Sequence, residues 1–156
     1  MRMHMVALCL AALALAGCGR GDSASYMIGG DRDHSLTIFR DKSWAWSDWQ
    51  VDVVVTHRPD CMRRHPLQEF SADRGFRLEL FQSDPRTFFL KLGKRWYVAE
   101  TVECRLQRME QAPADKGATV GAFTAEDEGI VFTPAASTGG EGKPGRTPAE
   151  AAGDGG

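Results

Sequence analysis

Apolar residues are laid along this chain in three textures. Met5 to Ala16 (MVALCLAALALA) is an unbroken apolar run; from about Ser35 to Phe132 apolar and polar residues alternate; from Pro134 to Gly156 no large apolar residue occurs. Alternation with a period of two is the mark of strands that bury one face. Leu36–Phe39 is a short strand followed by a turn at Asp41-Lys42. Gln50–His57 (QVDVVVTH) sets Val51, Val53 and Val55 on one face and Gln50, Asp52 and Thr56 on the other. Phe76–Leu80 directs Phe76, Leu78 and Leu80 inward, and Ser83-Asp84-Pro85 is a turn signal. Thr87–Leu92 and Arg95–Val98 flank Gly93-Lys94, whose glycine at the first loop position suits a type II′ hairpin. Ala118–Phe123 and Gly129–Thr133 form a last pair around Glu126-Asp127-Glu128.

One segment supports two readings. Val98, Val102, Leu106 and Met109 recur at helical spacing, and Glu100 to Gln111 holds good helix formers. The same residues also continue the strand from Trp96. A strand to about Thr101 is expected, followed by a helix near residues 100–111 or a second strand. The fold expected is mainly β: a small antiparallel meander that curls into a barrel, or a two-layer sheet.

The N-terminal run is too short to cross a bilayer, which takes about 20 apolar residues. Preceded by a basic start at Arg2 and followed by Ala14, Ala16 and Gly17, it has the build of a secretory signal peptide. It ends on Leu15-Ala16-Gly17-Cys18, which resembles the lipobox of bacterial lipoproteins at all four positions. The resemblance implies that the Cys18 thiol takes a diacylglycerol, that the chain is cut before it, and that Cys18 becomes the first mature residue. Its partner is then the lipid bilayer. Gly19 in place of an Asp after the cysteine resembles lipoproteins of the outer membrane, with the periplasmic side the expected address.

The cysteine count follows. Cys9 departs with the signal peptide and Cys18 is taken by lipid, so two of the four cysteines remain, Cys61 and Cys104. An even remainder in an oxidising compartment is read as one disulfide. No Cys-X-X-Cys is present to suggest a redox pair instead.

These features divide the chain into a signal peptide (1–17), the lipidated cysteine with a Gly/Ser-rich tether (18–34), a β domain (35–133) and a disordered tail (134–156). Charge adds a constraint. Tyr26 to Ala112 carries 14 Lys+Arg against 13 Asp+Glu, and the remainder to Gly156 carries 3 against 7. No basic excess is available to neutralise a phosphate backbone, so nucleic acid is not an expected partner.

Two clusters hold candidate chemistry. His57-Arg-Pro-Asp-Cys61-Met-Arg-Arg-His65 gathers metal-ligating residue types, but Pro59 breaks the helix that would align them, and a disulfide withdraws Cys61. The expected form is a loop fastened by Cys61, leaving His57 and His65 as weak metal candidates; no cofactor is expected. Trp44-Ala-Trp46-Ser-Asp-Trp49 places Trp44 and Trp46 on one face if extended. Trp more often fills a small β core, yet an exposed trio would offer a platform for sugar rings.

Three lesser patterns lead nowhere. Arg20-Gly21-Asp22 is a three-residue match of the kind that arises by chance. Asp31–Lys42 begins like a calcium loop but has Leu36 where glycine is required and Lys42 where glutamate is required. Glu100 and Glu103 fall on opposite faces of a strand. No nucleophile elbow, phosphate loop or zinc helix is present in the sequence. The expected role is a lipid-anchored, non-enzymatic binding or assembly accessory of the cell envelope with a protein partner. The alternative is a carbohydrate- or peptidoglycan-binding module using Trp44, Trp46 and Trp49; less expected are a metal-handling protein and a small hydrolase.

Overall fold

The computed structural model describes residues 20–44, 46–70 and 75–136. The expected signal peptide, the expected lipobox Leu15–Cys18 and residues 137–156 of the expected tail lie outside them.

Among the described residues, ten strands form two antiparallel sheets. The first is a meander in the order β1-β2-β3-β4, built from β1 (Arg20–Met27), β2 (His34–Lys42), β3 (Trp49–His57) and β4 (Cys61–Phe70). The second has the order β10-β9-β5-β6-β7-β8. It comprises β5 (Arg77–Asp84), β6 (Thr87–Leu92), β7 (Arg95–Glu100), β8 (Arg105–Met109), β9 (Ala118–Glu126) and β10 (Gly129–Pro134). Of the two expected architectures the chain adopts the two-layer one, since the sheets do not join into a closed barrel.

The alternating faces meet as the sequence directs. Leu36, Ile38, Val51, Val53 and Val55 from the first sheet pack on Leu78, Leu80, Phe88, Leu90, Leu92 and Phe123 from the second, all essentially without solvent exposure. Burying side chains of this size contributes about 1.5–3 kcal/mol each. Gly93 opens the β6–β7 loop at φ +60°, while Lys94 keeps a negative φ, the type II′ signature.

The two lateral edges of the sandwich close differently. Between β1 and β10, Tyr26 packs on Phe132 with ring centroids 5.1 Å apart. Between β4 and the β7–β8 turn the link is covalent: Cys61 and Cys104 form a disulfide with Cα atoms 6.0 Å apart. His65 Nε2 donates to the Cys104 carbonyl at 2.8 Å, and the Tyr97 hydroxyl donates to the Leu67 carbonyl at 3.3 Å across the same edge.

Two expectations are corrected, and one open choice is decided. Residues 20–27, assigned to the tether, form a full edge strand paired with β2 from Arg20↔Lys42 to Met27↔Ser35. The segment has little apolar content, but Tyr26 enters the core boundary against Phe88 and Phe132, and Asp22 finds a buried arginine. Tertiary partners supply what the local composition lacks.

Of the two readings for residues 100–111, the second strand forms, as β8, and the helix does not. β7 ends at Glu100 and the chain reverses through Thr101–Cys104 into β8. The Glu100 carboxylate accepts from the backbone N–H groups of Val102 and Glu103 at 3.0 and 2.8 Å, and Cys104 takes φ +52°. The helical spacing of Val98, Val102, Leu106 and Met109 is coincidental, and Val102 sits exposed on the turn.

The expected loop over His57–His65 is a tight turn at Arg58–Asp60 followed by β4. β4 reads poorly as a strand because it is an edge strand with Arg63 and Arg64 exposed and Pro66 within it. An edge tolerates proline, and the register slips beside it, where Val51 faces Gln68 and Asp52 faces Pro66.

Candidate functional site

The strand directions sort the loops into two ends. One end carries the start of β1, the β2–β3 loop, the β6–β7 loop and the β9–β10 turn. The other carries the β1–β2 connection, the β3–β4 turn, the β5–β6 turn and the disulfide. They are called here the near end and the far end, by distance from residue 20.

At the far end the β2–β3 register sets His34 directly opposite His57. Their rings meet edge to face with centroids 3.9 Å apart. Each has a carboxylate on its outer nitrogen: His34 Nδ1 lies 3.1 Å from Asp31, and His57 Nε2 lies 3.6 Å from Asp60. The other two nitrogens, His34 Nε2 and His57 Nδ1, are shielded from solvent and have no hydrogen-bond partner among the described residues. Beside them opens a cleft of about 320 Å³ lined by Ile28, His34, His57, Pro85, Arg86, Thr101 and Val102. That volume is at the lower limit for a small-molecule site. Its walls are firm. Thr101 donates from both N–H and hydroxyl to the Arg86 carbonyl, at 2.9 and 3.1 Å. Asp84 accepts from the N–H groups of Arg86 and Thr87, and the Arg86 N–H bond first, then the Thr87 side chain, hold its carboxyl below its ordinary value.

The two metal candidates are not brought together. His57 belongs to the cleft, while His65 lies eight residues along the hairpin with Nε2 committed to the Cys104 carbonyl. No cluster of three or more His, Cys, Asp or Glu with metal-binding geometry occurs among the described residues.

At the near end the tryptophans separate into a pair and a single. Trp44 and Trp46 are 62% and 86% exposed, contrary to the expectation that they fill the core. Their rings stack with centroids 6.2 Å apart and planes 13° from parallel. Ser47 fixes the turn by donating to the Trp44 carbonyl from N–H and hydroxyl, at 3.1 and 3.0 Å. Trp49 lies apart, half-buried at the start of β3, with the Arg40 guanidinium 4.0 Å and the Lys42 ammonium 4.7 Å from its ring centre.

That arginine is the structural key to the near end. Arg40 points inward from β2, is only 7% exposed, and grips Asp22 of β1 bidentately, Nε to Oδ1 at 3.1 Å and Nη2 to Oδ2 at 2.6 Å. The Asp22 of the Arg-Gly-Asp match is thereby a structural counter-ion. On the outer face Arg64 bridges Asp52 and Asp41 across three strands. The side-chain hydrogen bond to Asp52 is the main cause holding its guanidinium above its ordinary value.

Sequence reasoning missed His34, whose importance is visible only once β2 and β3 are placed in register. It also missed the Arg40–Asp22 pair, because Asp22 lay in the supposed tether. No helix among the described residues is long and apolar enough to cross a membrane. Comparison with family profiles, curated proteins and solved structures finds no match in any of the three.

Proposed function

We propose that the protein is a lipid-anchored accessory of the cell envelope, held at Cys18 and acting without catalysis by binding another envelope component through the far-end cleft. The observation that carries the anchoring is the lipobox Leu15-Ala16-Gly17-Cys18, placed two residues before the first strand. The disulfide supports it, since Cys61 and Cys104 account for each other and an oxidising compartment keeps such bonds. For the binding role the support is the cleft itself, lined by His34 and His57 and walled by the hydrogen bonds of Thr101 and Asp84, at the end remote from residue 20.

Metabolic labelling with palmitate tests the anchoring. Label in the parent and none in Cys18→Ser is expected; equal labelling overturns it. Crosslinking from intact envelopes tests the binding. A reproducible protein adduct weakened by Arg86→Glu at the cleft rim supports the reading, and a parent that yields no adduct contradicts it.

The carbohydrate reading draws on one observation, the exposure of Trp44 and Trp46. Against it, the two rings stack on each other and Trp49 is turned away under Arg40 and Lys42, so the three-ring platform is not assembled.

A further inference from the structure

Two large indoles standing in solvent at one hairpin tip call for an occupant, because exposed aromatic surface of this size is uncommon without one. The register of the first two strands points to it. Arg20 pairs with Lys42, and β1 runs antiparallel to β2, so β1 begins at the same end at which β2 runs on into the Trp44–Ser47 turn. Cys18 precedes Arg20 by two residues, and Trp44 follows Lys42 by two. Two residues of chain span at most about 7 Å whatever path they take. The polar interfacial layer on each side of a bilayer is about 5–8 Å deep.

We infer that the Trp44–Trp46 tip is a membrane-contact element, seated in the interfacial layer of the phospholipid bilayer that holds the anchor. The inference rests on the lipidation of Cys18 proposed above. The anchor and the tip are each joined by two residues to the paired Arg20 and Lys42, so a lipid on that sulfur makes this the membrane-proximal end of the sheet, and indole is the side chain whose flat apolar body and single N–H donor suit the interfacial layer. The Ser47 bonds to the Trp44 backbone present the pair on a fixed turn. The charges at this end give no reason to call on anionic lipid. Lys42 and Lys94 are basic, Glu126, Asp127 and Glu128 form an acidic turn, and Lys42 already lies over Trp49. The contact is therefore apolar and tolerant of salt. A bilayer fits better than a glycan platform of three rings, because Trp44 and Trp46 stack on each other while Trp49 lies apart under Arg40 and Lys42.

The test uses the full-length mature protein, reconstituted into phosphatidylcholine vesicles with or without shallow brominated lipid. Flotation of parent and Cys18→Ser is read alongside. The expected result is a parent that floats, a Cys18→Ser variant that does not, and tryptophan emission that shifts to the blue on reconstitution and is quenched by brominated lipid. Trp44→Ser/Trp46→Ser, with both sites exposed, should fold and float while losing most of the quenching, and 0.5 M salt should change neither result. A parent that floats with its tryptophans open to acrylamide and untouched by brominated lipid overturns the hairpin contact and leaves the anchor standing. A parent that behaves as Cys18→Ser overturns the anchor, and the contact with it. Emission that answers soluble peptidoglycan fragments and not vesicles assigns the tip to a glycan and overturns the inference.

Discussion

The two ends of the sandwich are secured by different physics. At the far end a covalent bond ties β4 to the β7–β8 turn, and hydrogen bonds from Thr101 and to Asp84 hold the loops around the cleft. At the near end a buried ion pair, Arg40 with Asp22, does the same work for β1 and β2, roofed by the Trp49 ring. A disulfide acts mainly on the unfolded chain, whereas a buried pair holds only while both partners are present. Polarity is distributed to match. The far end keeps shielded imidazole nitrogens beside a concave surface, and the near end displays convex apolar rings. With nine residues in β3 at about 3.3 Å each, the ends stand roughly 30 Å apart. Anchored at Cys18, the molecule would hold its cleft that far from the bilayer.

Breaking the far end should cost most. The disulfide closes a sequence separation of 43 residues. Replacing both cysteines by serine is expected to remove about 4 kcal/mol, within the range of about 2–5 for native bridges, measured by urea denaturation. At the near end, Asp22→Ala should cost about 3 kcal/mol, because Arg40 keeps its charge without a partner. Asp22→Ala with Arg40→Met should recover most of that loss. A double variant as unstable as the single would show that the pair contributes more than cancellation of its own burial.

A contrast within the core is next in size. Gly121 of β9 faces the Thr133 carbonyl and the Phe132 ring so closely that a Cβ would lie 2.4 Å from the former and 2.7 Å from the latter. Gly121→Ala is expected to cost about 1–3 kcal/mol by overpacking, visible as a lowered Tm. The exposed Trp44→Ser/Trp46→Ser change should alter stability in solution by less than about 0.5 kcal/mol, so its effects on membranes are separable from folding.

The smallest expected effect is on acid sensitivity. The folded Asp84 carboxyl lies below its unfolded value, so the unfolded chain binds more protons between the two. Its contribution is present above the unfolded value, near the ordinary 3.8, and is lost as pH falls through the folded one. Asp84→Asn should flatten the stability profile in that acid window and leave its slope near neutral pH unchanged.

Much of the sheet core was legible because its inward residues alternate without interruption, as at Val51-Val53-Val55 and Phe76-Leu78-Leu80. What was not legible lay at edges. β1 and β4 are the two edge strands of the first sheet, and edge strands carry polar, charged and proline residues that erase the alternation. The Cys61–Cys104 bond followed from counting and is present. The cleft was not foreseen, since His34 and His57 meet only through a register that neither segment states alone. The exposure of Trp44 and Trp46 went against the usual habit of tryptophan, and that departure marks the near end as a surface with a task.

The intact mass of the protein extracted from envelopes with detergent probes the account at its base. A species that begins at Cys18, lacks residues 1–17 and carries the added mass of a diacylglycerol, with Cys61 and Cys104 oxidised, is the predicted result. A species retaining residues 1–17, or one beginning at Cys18 with an unmodified thiol, would contradict it.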